Sequence, residues 1–233
     1  MKIMSFNTQH CQSYVTGEIN FDIFASEIKN SNADIIGLNE MRGEGPRKDY
    51  QDQVGILANA LGMHSYFARA ILVGGENPYG NGILSKYPII SAKTIMIPDP
   101  DPAVQNKVET RCILNAVIDT PDGELNVFVT HFGLSPAEQI NAVKTVVENI
   151  TDKNTVLMGD FNVLPENPVL DPIRERMTDT ADFAATALLS FPSDAPDRKI
   201  DYMFVSNDVK VISADVPAHV VSDHRPYISE LEF

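Results

Sequence analysis

A chain of 233 residues with 43% hydrophobic and 21% charged residues has the makeup of a globular protein with a sizeable core, sized for one large α/β domain or two small ones. Its 18 Lys+Arg against 32 Asp+Glu give a net charge of −14, which argues against a nucleic-acid partner held by an extended basic face. No apolar run reaches the roughly 18 residues of a membrane span, the N-terminus lacks a signal-peptide layout, and Cys11 and Cys112 match no metal or redox spacing, so a cytoplasmic protein with free thiols is expected.

Lys2 to Phe6 reads as a buried first strand that ends at Asn7. Phe21 to Ile28 places apolar residues at helical spacing behind a capping Asn20, and Ala33 to Glu40 is a second buried strand that delivers Glu40 at its end. This strand–helix–strand unit predicts parallel pairing. The Gly/Pro loop after Glu40 carries Arg42, Arg47 and Lys48, a cationic loop suited to an anion. Gln53 to Leu61 is a helix closed by Gly62, and His64 to Ala70 a strand. Asn77 to Gly82 reads as a turn-rich loop before Ile83 to Ser85, and Ile89 to Ile97 as a further strand.

The prolines at 98, 100 and 102 exclude helix and central strand, so that segment is a surface excursion. Glu109 to Asp119 and Leu125 to Thr130 flank an Asp-Gly hairpin turn, and the second of these strands ends at His131. Ser135-Pro136-Ala137-Glu138 is a capping box whose helix presents Ile140, Val143, Val147 and Ile150 on one face. Thr155 to Asn162 opens as a short apolar run, read as a buried strand that empties into an active site, with Gly159 marking a close backbone turn. Asp160 and Asn162 then project on the same side, as an acid–amide pair suited to orienting water or as a plain Asx turn. Residues 169–191 are weakly periodic and receive no assignment. Strands follow at Ile200 to Val205, Val209 to Ala214 and Tyr227 to Leu231, with Asp201 near the start of the first and Asp223-His224 just before the last.

Several apolar strands thus discharge acids, amides and imidazoles at their ends, a pattern that describes a site at one rim of a pair of sheets. Ser5-Phe6-Asn7, Gly37-Leu38-Asn39-Glu40, Gly82 to Ile89, Thr130-His131, Gly159-Asp160-Phe161-Asn162, Ile200 to Val205 and Ser222 to Pro226 occur in one order along the chain. In these residues the sequence resembles the endonuclease/exonuclease/phosphatase superfamily of DNase I-like metal-dependent phosphoesterases, over essentially the whole chain. The resemblance implies one domain spanning 1–233, an α/β four-layer sandwich of two mixed β-sheets packed face to face with helices outside.

It also implies a hydrolase of phosphate esters that uses Mg²⁺ or Mn²⁺. Asn7, Glu40 and Asp223 would hold the ion, a donor set of oxygens suited to a hard cation. By similarity Asp160 and His224 activate or orient the attacking water. Asp201 fixes the His224 tautomer, leaving the other ring nitrogen as an acceptor toward substrate. Asn162 and His131 hold the phosphoryl oxygens, and Arg42 and Arg111 are expected near the phosphate. His10, His64 and His219 receive no role. The net charge favours a small phosphorylated substrate, such as a sugar, inositol or lipid head-group phosphate. A nuclease using the 42–48 loop and Arg198-Lys199 as a local clamp is the alternative, with an inactive binding module behind both.

Overall fold

The structure is a computed structural model that describes residues 1–105 and 108–233. Its strands are β1 (Lys2–Asn7), β2 (Ile35–Arg42), β3 (His64–Val73), β4 (Asn77–Ser85), β5 (Ile89–Met96), β6 (Cys112–Thr120), β7 (Gly123–His131), β8 (Thr155–Asp160), β9 (Met177–Asp179), β10 (Asp201–Ser206), β11 (Lys210–Asp215) and β12 (Tyr227–Glu232). They form two six-stranded sheets, in the orders β11-β12-β1-β2-β4-β3 and β5-β6-β7-β8-β10-β9. Each is mixed, with a parallel pair at its middle: β1 beside β2 in the first sheet and β7 beside β8 in the second. The helices α1 (Phe21–Ser31) and α2 (Gln53–Leu61) cover the outside of the first sheet, and α3 (Pro136–Asn149) and α4 (Asp171–Arg174) that of the second. The fold is the four-layer α/β sandwich.

Central strands buried on both faces explain the near-continuous apolar runs in the sequence. Val156 and Met158 of β8 point between the sheets, where they meet Ile3, Ile35, Val129, Met203 and Tyr227, while Leu157 points outward to α3. Met4 and Phe6 of β1 likewise turn outward, against Phe24 and Ile28 of α1. The period of two thus divides one run between two cores. Gly37 lets the sheets approach closely, since a Cβ there would lie 2.9 Å from the Met158 sulfur and 3.0 Å from a Val129 methyl. No helix among the described residues is long and apolar enough to cross a membrane.

α3 carries the capping box: the Ser135 hydroxyl accepts from the Glu138 N–H at 3.3 Å, and the Glu138 carboxylate accepts from the Ser135 N–H at 3.1 Å. Replacing Ser135 with Ala leaves a helix-end donor unsatisfied. The expected result is a loss of about 1 kcal/mol, read from the midpoint of urea unfolding.

Three expectations are corrected. Asn77–Gly82 is not a loop but the first part of β4. Its turn-favouring residues serve the interior instead: Asn81 donates to the Cys112 carbonyl at 3.0 Å and so ties the two sheets together. On α3, Ile140 is 58% exposed, whereas Val143, Val147 and Ile150 pack into the core as expected, with Ala142 and Val146 buried beside them. Gly159 lies within the β8 ladder rather than at a turn, opposite Thr130 and Tyr202. Its φ of +143° and a Cβ position only 1.8 Å from the Thr130 carbonyl oxygen leave no space for a side chain.

The unassigned segment becomes a 3₁₀ turn at Pro168–Leu170, α4, the short β9, a second 3₁₀ turn at Thr180–Phe183 and an irregular stretch to β10. Cys11 and Cys112 are free and buried, and burial pushes both thiols up to about 12.

Candidate active site

Both parallel pairs end at the same rim, because the sheets stack with those strand ends adjacent. β1 ends at Asn7 and β2 passes through Glu40, while β7 and β8 end at His131 and Asp160, which sit opposite each other in register. β2 bulges between Leu38 and Met41, and Glu40 takes a φ of +62°, departing from the ladder. After β8 the chain turns at Asn162, φ +51°, whose backbone N–H donates to Asp160 Oδ1 at 2.9 Å. The Asx turn and the acid–amide pair are therefore one structure, with Oδ1 consumed by the turn and Oδ2 left for chemistry.

Asp160 Oδ2 is a meeting point. It accepts from the Asn7 amide at 3.1 Å and lies 3.5 Å from Nε2 of both His131 and His224. Asn7 also donates to Glu40 at 3.2 Å, so one amide links the carboxylates of the two sheets. His224 Nδ1 bonds Asp201 Oδ2 at 2.8 Å, and the Ser190 hydroxyl donates to the same oxygen at 2.6 Å. Arg111 approaches His131 Nδ1 at 3.2 Å while paired with Glu109 at 2.7 Å. A guanidinium only donates, so Nδ1 is the acceptor and the His131 proton sits on Nε2, facing Asp160. The Asn162 amide lies 3.1 Å from that nitrogen.

These groups border an open cleft of about 580 Å³. Glu40, Asp223 and His224 come from the first sheet and its connections; Arg111, His131, Asp160 and Asn162 come from the second. Asn7 and Asp201 stand behind as supports, each fully or almost fully buried. Arg42 does not join them: it pairs with Asp49 at 3.0 Å and stacks over Tyr50. Its place among cleft cations goes to Arg198, expected only as part of a nuclease clamp.

Burial raises the Asp160 carboxyl to about 7, against the pull of the His224 charge. Burial also works to raise Glu40, but the neighbouring His10 ring and the hydrogen bond from Asn7 outweigh it and bring that carboxyl down to about 2. Burial and the Glu40 charge hold Asp223 above its usual range. His131 is kept neutral by burial and by the Arg111 charge. For His224 burial opposes the proton, yet Asp201 and Asp160 together raise it to about 10, so it is an imidazolium whose Nε2–H donates. That differs from the acceptor role expected of it, because two carboxylates face the ring rather than one.

The folded state therefore holds the His224 proton more tightly than the unfolded chain. The resulting stability is complete below the ordinary value of 6.5 and is lost as pH rises to about 10. With a chelator present, the stability gap between the wild type and His224→Gln is expected to narrow over that window in urea titrations. A gap that widens with pH contradicts the assignment.

Two residues near the site have no role in the sequence reading. Asn39 accepts the Asp160 N–H on its Oδ1 at 2.9 Å and donates from Nδ2 to Asn81 and to the Thr130 carbonyl, both at 2.9 Å. A fully buried amide inside an apolar strand is the signal that could have found it. His10 lies 3.8 Å from Glu40 at a φ of +49°.

Comparison with known proteins bears on the fold and the family. No curated protein matches the chain in sequence. Among solved structures, an endonuclease/exonuclease/phosphatase from Beutenbergia cavernae superposes with a TM-score of 0.82 at 21% identity, covering 100% of this chain and 71% of that one. A mannosyl-6-phosphatase from Bacteroides thetaiotaomicron gives 0.82 at 17% identity over 100% of both chains. The human Nocturnin catalytic domain with bound sulfate gives 0.72 at 17% identity, over 100% of this chain and 93% of that one. The model of one family matches residues 4–224, nearly the full length, and the chain belongs to it: the Endonuclease/Exonuclease/phosphatase family.

Proposed function

We propose that the chain, as a single catalytic domain over residues 1–233, is a divalent-metal-dependent hydrolase of small phosphate esters that works by in-line attack of water. Family membership supports hydrolysis of a phosphoester bond. The observation that carries the finer reading is the convergence of Asn7, His131 and His224 on one oxygen of Asp160, beside two further carboxylates in the same cleft.

Glu40 and Asp223 face one space, and the charge on Glu40 opposes ionisation of Asp223, the electrostatics of a site completed by a cation. The two carboxylates offer oxygens, which suits Mg²⁺ or Mn²⁺. Asn7, expected as a ligand, turns its NH₂ to Glu40 and Asp160 and its Oδ1 to the Gln9 N–H, and so orients the carboxylates instead. Asp160, Asp201 and His224 form a second cluster, with ligand atoms within 4.8 Å of one another. There Asp201 Oδ2 is committed to His224 and Ser190, and His224 carries a proton, so that cluster fits an acid–imidazolium pair better than an ion. When bound, the cation supplies Lewis-acid polarisation of a phosphoryl oxygen and neutralises developing charge.

The protein's own groups do the rest. Asp160 Oδ2 takes the proton of the attacking water, and its raised affinity for protons suits that task near neutral pH. Nε2–H of His131 and of His224, with the Asn162 amide, donate to phosphoryl oxygens as negative charge builds. Arg111 locks the His131 tautomer, and Asp201 holds the His224 ring and its charge.

The test is release of nitrophenol from bis-p-nitrophenyl phosphate and p-nitrophenyl phosphate with Mg²⁺, Mn²⁺ or EDTA, beside plasmid nicking at two salt concentrations. Metal-dependent release without nicking supports the reading; release undiminished by EDTA removes the metal from it. Nicking that fades with salt favours a nuclease. Against that alternative, Arg42 is turned to Asp49 and Tyr50 and away from the cleft, which leaves Arg198 as the clamp cation that borders it.

A further inference from the structure

The cleft has an apolar side that the chemistry above does not use. Leu134 is 76% exposed and Leu164 41% exposed, and both border the cleft with Phe191 and Ile200. They stand three and four residues beyond His131 and Asp160, in the segments that leave the two central strands of the second sheet. A leucine just before a helix cap ordinarily packs on the fourth helical residue. Here that residue is Gln139, whose amide bonds the Gly133 and Asn162 carbonyls, so helix capping gives Leu134 no partner. Phe191 packs against the His224 ring at 4.8 Å between centroids, next to the charge that would meet the phosphate.

Of the three cleft acids, Glu40 and Asp223 come from the first sheet and its connections and Asp160 from the second sheet, whereas these apolar side chains all come from the second sheet's connections. A phosphate seated on His131, Asn162 and His224 therefore has apolar surface beside it where the rest of the ester must lie. A sugar or polyol lying against Leu134 and Leu164 would lose water contacts that those side chains cannot replace, which is costly. Arg198, 5.6 Å over the Phe191 ring, is a polar neighbour at the edge. An apolar group would gain by burying Leu134 and Leu164.

Resting on the hydrolase reading, we infer that Leu134, Leu164 and Phe191 form a leaving-group subsite, and that the substrate is the phosphate ester of an alcohol with an apolar face, an alkyl chain or an aromatic ring. The alcohol oxygen departs as the water oxygen bonds to phosphorus, and the departing oxygen is protonated from solvent.

The test compares hexyl phosphate and 2-phenylethyl phosphate with glycerol phosphate and a hexose 6-phosphate, all esters of primary alcohols or close to it, in the wild type and in Leu134→Ser/Leu164→Ser. Both leucines are exposed, so the variant is expected to fold. The wild type should show kcat/KM about tenfold or more higher for the apolar esters. The variant should lose most of that preference, through a fall in kcat/KM for the apolar esters. Calorimetry with hexylphosphonate and 2,3-dihydroxypropylphosphonate reads the same preference without turnover. Equal binding and equal kcat/KM for polar and apolar esters overturn the subsite while leaving a hydrolase. Tighter binding of hexylphosphonate that the variant loses, with no hydrolysis of any ester, upholds the subsite and removes the hydrolase reading. The relative rates of the hexyl and phenylethyl esters tell a chain from a ring.

Discussion

Replacing Asp160 with Asn is expected to lower kcat for the nitrophenyl esters by about 10³-fold while leaving the protein folded. The amide has the same volume and can turn its oxygen toward Asn7, His131 and His224, but it has no basic oxygen to accept the proton of water. Its cost is the hydrogen bond from the Asn162 N–H to Oδ1, which the NH₂ group would then face. Losing one such bond costs about 1 kcal/mol, a fall in Tm of about 2–4 °C for a chain of this size. Part of that loss is offset, because the carboxylate it replaces is buried and its ionised form is disfavoured there. Activity and stability thus separate. Wild-type turnover in Asp160→Asn would remove Asp160 from the mechanism.

Replacing Gly159 with Ala should do the reverse and remove the structure first. The added Cβ would stand 1.8 Å from the Thr130 carbonyl oxygen and 3.2 Å from Asn39 Oδ1, at a φ of +143° that only glycine adopts readily. Thr130 cannot retreat without parting β7 from β8, and its carbonyl also accepts from Asn39. The expected loss exceeds about 4 kcal/mol, the range of backbone clash in a closed core. It would be seen as insoluble expression or a Tm lower by more than about 8 °C. An alanine variant that melts with the wild type would mean that the central parallel pair tolerates separation at this point.

Much of the fold is legible in the sequence because its signals are local. The helix at Gln53–Leu61 has a capping Asp52 before it and Gly62 in the left-handed region after it, and the boundaries follow from those residues. The capping box at Ser135 and the parallel pairing of β1 with β2 are of the same kind. What local pattern misses is residues whose partners lie far along the chain. Asn77 to Gly82 has turn composition, yet Asn81 accepts from Asn39 on the neighbouring strand and donates to Cys112 across the sandwich. Residues 184–200 form no regular element, and still place Ser190 on Asp201 and Phe191 on His224. Their order comes from the site they line rather than from periodicity. Within the site, residue type and strand-end position pointed to the groups that converge on Asp160. They misplaced Arg42 because an acid seven residues on, Asp49, captures it. No rule of spacing distinguishes that capture from a free cation.

The amide of Asn7 spans a seam, since Glu40 belongs to one sheet and Asp160 to the other. The distance from the proposed cation-holding carboxylate to the proposed base is therefore a reading of how closely two independently hydrogen-bonded sheets are stacked. Met158 against Gly37 sets that stacking from the interior, well behind the cleft. Residues that touch no ligand thereby act as a gauge block for the chemistry. Trimming Met158 to Ala or widening Gly37 changes the gap between reacting groups without changing any of them. In such variants turnover should fall at temperatures where circular dichroism still reports intact sheets.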